Sequence, residues 1–103
     1  MAIVNSLVTN STAAAIYTSS GNTAIVTIHL CNYTGTNQTV NVYVVPSGGV
    51  AGYVNQIYSN LQLSAYNTWI INSEKFILNN GDTILANTAN ASSVSATVSS
   101  IGI

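Results

Sequence analysis

Apolar residues recur at every second position along most of this chain, and that period dictates extended strands with one dry and one wet face. The clearest run is Ala24-Ile25-Val26-Thr27-Ile28-His29-Leu30-Cys31, in which Ala24, Val26, Ile28 and Leu30 form one apolar face. Val40, Val42 and Val44 repeat the pattern with Asn41 and Tyr43 opposite. Near the C-terminus Val94, Ala96 and Val98 alternate with Ser95, Thr97 and Ser99. Val, Ile, Thr and Tyr dominate these segments, as pleated, half-buried surfaces favour. Ala24, Val26, Ile28 and Leu30 are therefore expected to share a core with Val40, Val42 and Val44.

Turn chemistry punctuates the strands. Ser19-Ser20-Gly21-Asn22 separates a strand around 14–18 from the next, and Asn32 to Asn37 forms a second break. Pro46-Ser47-Gly48-Gly49 ends the valine strand, because proline donates no ladder hydrogen bond. Asn80-Gly81 is a hairpin signal, since both residues tolerate positive φ. A two-residue loop there would set Ile77 opposite Ile84 and Leu78 opposite Thr83; a three-residue loop would shift that register by one. Residues 50–63 fit either a helical spacing (Val50, Tyr53, Val54, Ile57, Tyr58, Leu61) or an alternation (Tyr53, Ile57, Leu61, Leu63). Few strong helix formers and Gly52 near its start favour strand. The expectation is an all-β fold, an antiparallel β-sandwich of jelly-roll or Ig-like type with about seven to nine short strands, occupying 1–103 as a single domain.

Charge bounds the function. Glu74, Lys75 and Asp82 are the only fully charged side chains in 103 residues, whereas an ordinary soluble domain is about one-quarter charged. Most acid–base or metal chemistry lacks its parts. No basic footprint exists for nucleic acid or anionic lipid, and no apolar run approaches the ~18 residues of a membrane span. One cysteine, Cys31, excludes an intrachain disulfide. Ala13-Ala14-Ala15 looks like a signal-peptide cleavage site. A basic n-region is missing, however, and Asn5, Ser6, Thr9 and Asn10 interrupt the apolar stretch. Together with the start at Met1, this leads us to expect the whole primary product.

Each residue that could carry chemistry also has a simpler structural role. His29 and Cys31, two apart on one strand, share a face, but a metal would need further ligands from Glu74 and Asp82. A Cys31–His29 nucleophilic pair has no orienting third group. Glu74 and Asp82 flank the hairpin and would be glycosidase carboxylates only at the right separation; solvated turn residues are the simpler reading. Gly48, Gly49 and Gly52 lack the spacing and lysine of a phosphate loop. Asn-x-Ser/Thr triplets begin at Asn10, Asn32, Asn37 and Asn90, as chance allows in so polar a chain. No catalytic, cofactor-binding or metal residue is therefore assigned, and no cofactor or enzyme activity is expected. Tyr17, Tyr33, Tyr43, Tyr53, Tyr58, Tyr66 and Trp69 are the side chains with binding potential. Trp69 and about half of the tyrosines are expected to plug the core and subunit interfaces.

The stretch Ile16-Tyr17-Thr18-Ser19-Ser20-Gly21-Asn22-Thr23-Ala24-Ile25-Val26-Thr27-Ile28-His29-Leu30-Cys31-Asn32, followed by Leu78-Asn79-Asn80-Gly81-Asp82-Thr83-Ile84, resembles the small structural proteins of tailed-bacteriophage virions. The first turn here lacks the proline and lysine that such proteins carry. The resemblance implies a β-sandwich accessory part of a head, neck or tail, without transferring any functional residue. The expectation is thus a non-enzymatic virion structural protein: a capsid decoration, cement or collar-type subunit, located in the virion after assembly in the host cytoplasm. Its partners would be copies of itself, with a homotrimer favoured, and other virion proteins. The alternative is a tail or fibre component, or a carbohydrate-binding receptor-recognition module that uses exposed tyrosines.

Overall fold

Alternating β-branched sequences form strands here throughout, and a computed structural model describes residues 2–10, 13–52, 54–71, 76–88 and 94–103. Strand segments are β1 (Ala2–Leu7), β2 (Thr9–Asn10), β3 (Ala14–Thr18), β4 (Thr23–Asn32), β5 (Gln38–Val45), β6 (Gln56–Leu63), β7 (Thr68–Ile71), β8 (Phe76–Leu78), β9 (Thr83–Thr88) and β10 (Val94–Gly102). No helix occurs among the described residues. The expected all-β sandwich is what the chain forms.

Two five-stranded sheets pack face to face. Sheet A runs β1-β10-β4-β7 with β8 also on β4, and sheet B runs β2-β9-β5-β6 with β3 also on β9. β7 and β8 lie in turn along one side of β4, at Ile28–Cys31 and Thr23–Ile25 respectively. They are a single edge position that the chain leaves and re-enters. β3 and the short parallel β2 likewise share one edge of β9. The ten segments thus fill eight positions, four in each sheet.

Those positions decide between the two sandwich types expected. In chain order they pair first with eighth (β1·β10), second with seventh (β3·β9), third with sixth (β4·β7/β8) and fourth with fifth (β5·β6). That is one long antiparallel hairpin. Rolling it up adds the β10·β4 and β9·β5 ladders and gives the jelly roll, a double-sheet architecture that keeps open edge strands.

Two expectations about facing need correction. Along β4 the core side chains are Ile25, Ile28 and Leu30, while Ala24 and Val26 are only half-buried. The register against β10 slips by one residue between Ser99 and Ser100, where Thr27 and Ile25 are the successive partners. A β-bulge at Val26 therefore reverses the facing below it. Ile28 and Leu30 do meet Val40 and Val42 in the core, and Val44 packs half-buried against it. Val94, Ala96 and Val98 are buried as the C-terminal alternation implies.

The second correction concerns Asn80-Gly81. The turn is present, with Gly81 at φ 89°, but it does not close a hairpin. Ile77 pairs with Ala24 and Leu78 with Thr23 in sheet A, whereas Ile84 and Thr83 pair with β3 and β5 in sheet B. A turn dipeptide fixes a local reversal of the backbone, and a sandwich also needs reversals that cross between its sheets. In the segment 50–63 the described residues up to Asn55 are loop and Gln56–Leu63 is strand β6, with Asn60 in the left-handed region at φ 53° and register shifts on either side of Val42.

Candidate functional site

Asp82, the one carboxylate side chain among the described residues, serves a corner of the fold. Its Oδ1 accepts the Ser47 amide and its Oδ2 the Asn79 amide, both at 2.9 Å. The turn closes by the Asp82 amide donating to Asn79 O at 3.1 Å. Nearby, the Gly21 amide donates to Asn80 Oδ1 at 2.8 Å, and the buried Ser19 hydroxyl sits 2.7 Å from Gly21 O. Three loops, around 19–21, 46–49 and 79–82, are thereby bolted together. Glu74, Lys75 and Tyr53 lie outside the described residues, so the carboxylate pair Glu74/Asp82 and the charged dipeptide do too.

His29 and Cys31 share the outer face of sheet A, as their spacing requires. His29 lies between Thr97 and Ile70, and Cys31 between Ser95 and Thr68. Both are half-buried. No set of three or more metal-ligating side chains comes together among the described residues.

The same face carries a second feature, which its sequence signalled only weakly. Row after row is uncharged: Asn5–Thr97–His29–Ile70, then Leu7–Ser95–Cys31–Thr68. Standing out from it are Ile3 (66% exposed), Leu7 (54%), Ile70 (51%), Ile77 (65%) and Ile101 (44%). Lone surface apolar residues need no explanation, but several on one flat sheet face do.

The aromatics divide. Tyr17 is in the core and donates its hydroxyl to Ser100 Oγ at 3.2 Å. Tyr43 is buried on the outer face of sheet B under the 49–51 loop, and Tyr58 packs half-buried against the core. These are the expected plugs. Trp69 is not: it is 44% exposed, because β7 is an outermost strand with no further strand beyond it among the described residues, and only Ile71 of that strand is buried. Tyr33 and Tyr66 are also exposed.

Tyr33, Tyr66 and Trp69 belong to one end of the sandwich. Trp69 pairs with Leu30, and the ladder continues past the strands through Asn32 N donating to Asn67 O at 2.9 Å. Tyr66 N then donates to Thr34 O at 3.1 Å, so Tyr33 and Tyr66 fall on facing loops. The fully buried Asn32 side chain ties these loops together. Its Nδ2 donates to Thr36 O (2.8 Å), Leu63 O (3.1 Å) and Ser64 O (3.2 Å), and its Oδ1 accepts the Thr34 amide at 3.0 Å. A shallow depression of about 110 Å³ beside them is lined by Asn37, Gln38, Thr39, Gln62 and Ser64. A larger open groove of about 430 Å³ runs along sheet B past Tyr43, Val50 and Leu85. Neither is lined by a carboxylate, imidazole, thiol or amine; both offer contact surface rather than acid–base groups.

No family model matches the chain, and no curated protein or solved structure matches it at a significant level. The class that the fold defines is a small jelly-roll protein, and function has to be argued from its surfaces.

Proposed function

We propose that the protein is a non-enzymatic structural subunit of a bacteriophage virion, a capsid decoration, cement or collar-type piece that works as a homo-oligomer docked on other virion proteins. The observation that carries the proposal is the outer face of sheet A, where Ile3, Leu7, Ile70, Ile77 and Ile101 stand exposed on a surface without a charged side chain among its described residues. Net charge is what usually keeps proteins apart. A face whose described residues carry no charge contributes no like-charge repulsion through them when pressed against its own copy, and apolar area rewards the contact. The molecule measures 38 × 26 × 20 Å, so a broad face is of the size that gives the ~800 Å² per partner of a standard interface.

Edges argue the same way. β1 and the β7/β8 position border sheet A with no charged residue or proline in those strands, and exposed edges need cover. The virion assignment itself rests on the resemblance of residues 16–32 and 78–84. Its support here is that these two segments touch: the Ser19 amide donates to the Asp82 carbonyl, and the Gly81 amide donates to the Ser19 carbonyl. A trimer is the favoured copy number, with the finished particle as the location.

Sedimentation of the isolated protein at micromolar concentration tests the oligomer, and mass spectrometry of purified particles tests the virion assignment. We expect a discrete oligomer and a stoichiometric particle component. A stable monomer missing from particles overturns the proposal.

A further inference from the structure

We propose that the aromatic end of the sandwich, formed by the loops 33–37 and 64–67 with the adjoining start of β7, is a binding site for neutral saccharides. The inference is independent of the virion reading and of the sheet A face.

It starts from Tyr66. This residue lies in the left-handed region at φ 60° while its side chain is 73% exposed. Bulky L-residues rarely adopt that conformation, and glycine or asparagine fills such turn positions without strain. The turn is closed by Asn67 N donating to Ser64 O at 3.0 Å, which puts Tyr66 at the third position of a four-residue turn, where glycine is the ordinary choice. Core packing does not account for a strained tyrosine that stays largely in solvent. Its ring instead lies along Gly35: a Cβ at Gly35 would sit 3.2 Å from the Tyr66 hydroxyl and 3.7 Å from its ring. The ring is thus laid against the facing loop with the rest of its surface open. Backbone strain held in place by surrounding bonds is characteristic of ligand contacts.

Three further observations name the ligand class. Tyr33 (43% exposed) and Trp69 (44%) leave ring surface in solvent at the same end, and flat aromatic faces with polar tips suit the apolar faces of sugar rings. Asn37, Gln62 and Ser64 line the adjacent depression, offering amide and hydroxyl groups that match sugar hydroxyls in both donor and acceptor sense. No charged side chain lines that depression or belongs to either loop, so an anionic or cationic ligand would go unpaired and a neutral one is selected. The Asn32 side-chain network fixes both loops before any ligand arrives, which lowers the ordering cost of binding.

The experiment uses the full chain. Trp69 is its single tryptophan, so indole emission reports on this end alone. Maltoheptaose, cellohexaose, chitohexaose and a neutral mannan oligosaccharide are titrated to about 10 mM, so that even a millimolar Kd registers. Affinity electrophoresis through the parent polysaccharides covers binding that is silent in emission. We expect a saturable response to at least one probe. Tyr66→Asn should lose that binding by tenfold or more while its thermal midpoint stays the same or rises, since the substitution relieves the left-handed strain. A flat response to the whole panel overturns the site. So does binding that survives Tyr66→Asn. A Tyr66→Asn protein that sediments as a smaller species would make this end a subunit interface and likewise overturn it.

Discussion

The backbone amide of Ser19 donates to the carbonyl of Asp82 at 2.8 Å, and the amide of Gly81 returns a bond to the Ser19 carbonyl at 2.9 Å. Two turns separated by some sixty residues are therefore locked face to face, and the Asp82 carboxylate extends the lock to Ser47. This corner is where the rolled hairpin passes from sheet A to sheet B.

Asp82→Ala removes both carboxylate acceptors and leaves the Ser47 and Asn79 amides without their partners. Hydrogen bonds to a charged group contribute about 1.5–3 kcal/mol when sheltered. The corner is partly exposed, so the expected loss is about 1–2 kcal/mol. The thermal midpoint should fall by about 5–10 °C. Asp82→Asn, which retains one acceptor oxygen, should fall about half as far. A midpoint unchanged in both variants would mean the carboxylate does not hold the corner.

Gly81→Ala tests the same corner sterically. A Cβ there would sit 2.7 Å from Ser47 Oγ at a φ of +89°, a combination of strain and clash. We expect a loss of about 1–3 kcal/mol in equilibrium denaturation, read as a lower midpoint at unchanged m-value. At Gly21, with φ +72° and open space around it, alanine should cost less. Equal effects at the two glycines would contradict the geometry.

The bulge in β4 gives an asymmetric pair of outcomes. Ile25 is 1% exposed and in the core cluster, while its neighbour Val26 is half-buried outside it. Ile25→Ala should cost about 2–5 kcal/mol and Val26→Ala less than about 1 kcal/mol. Ile28, with no exposed surface, should not tolerate aspartate at all, because an unpaired buried charge costs more than much of a domain's stability. Val26 proving the more sensitive site in urea titrations would restore an unbroken alternation.

How much of this was legible in sequence differs by level. Ile28, Leu30, Val40, Val42, Val94, Ala96 and Val98 were readable as core because each lies in a stretch where strict alternation holds. Ile25 was not, since a bulge inserts one residue without altering local composition, and only the slip of β4 against β10 reveals it. The Asn80-Gly81 turn was legible and its partners were not, because positive φ reverses a chain regardless of which sheet receives the next strand. Trp69 was misplaced by its size: burial follows position in the sheet, and an outermost strand leaves even tryptophan half in water. Nothing in the sequence distinguished Tyr66 from the other tyrosines, since its conformation depends on the Ser64–Asn67 turn and on Thr34 across from it.

The sheet A face carries the last prediction. Ile70 is 51% exposed and lies in the row with Asn5, Thr97 and His29. Ile70→Lys should leave folding almost intact, because surface substitutions away from packed features usually change stability by less than about 0.5 kcal/mol. In a self-contact it would place an unpaired ammonium on an apolar surface, once per subunit, and near a symmetry axis it would face its own copy. Association should weaken by at least about tenfold, or about 1.4 kcal/mol, and sedimentation velocity should show smaller species at micromolar concentration. Val54→Lys is the control, since Val54 is fully exposed in the loop before β6 and lies off sheet A. Dissociation by Ile70→Lys with Val54→Lys unchanged identifies the face as the contact. An oligomer indifferent to Ile70→Lys would exclude it and turn attention to the uncharged strand edges of β1 and β7.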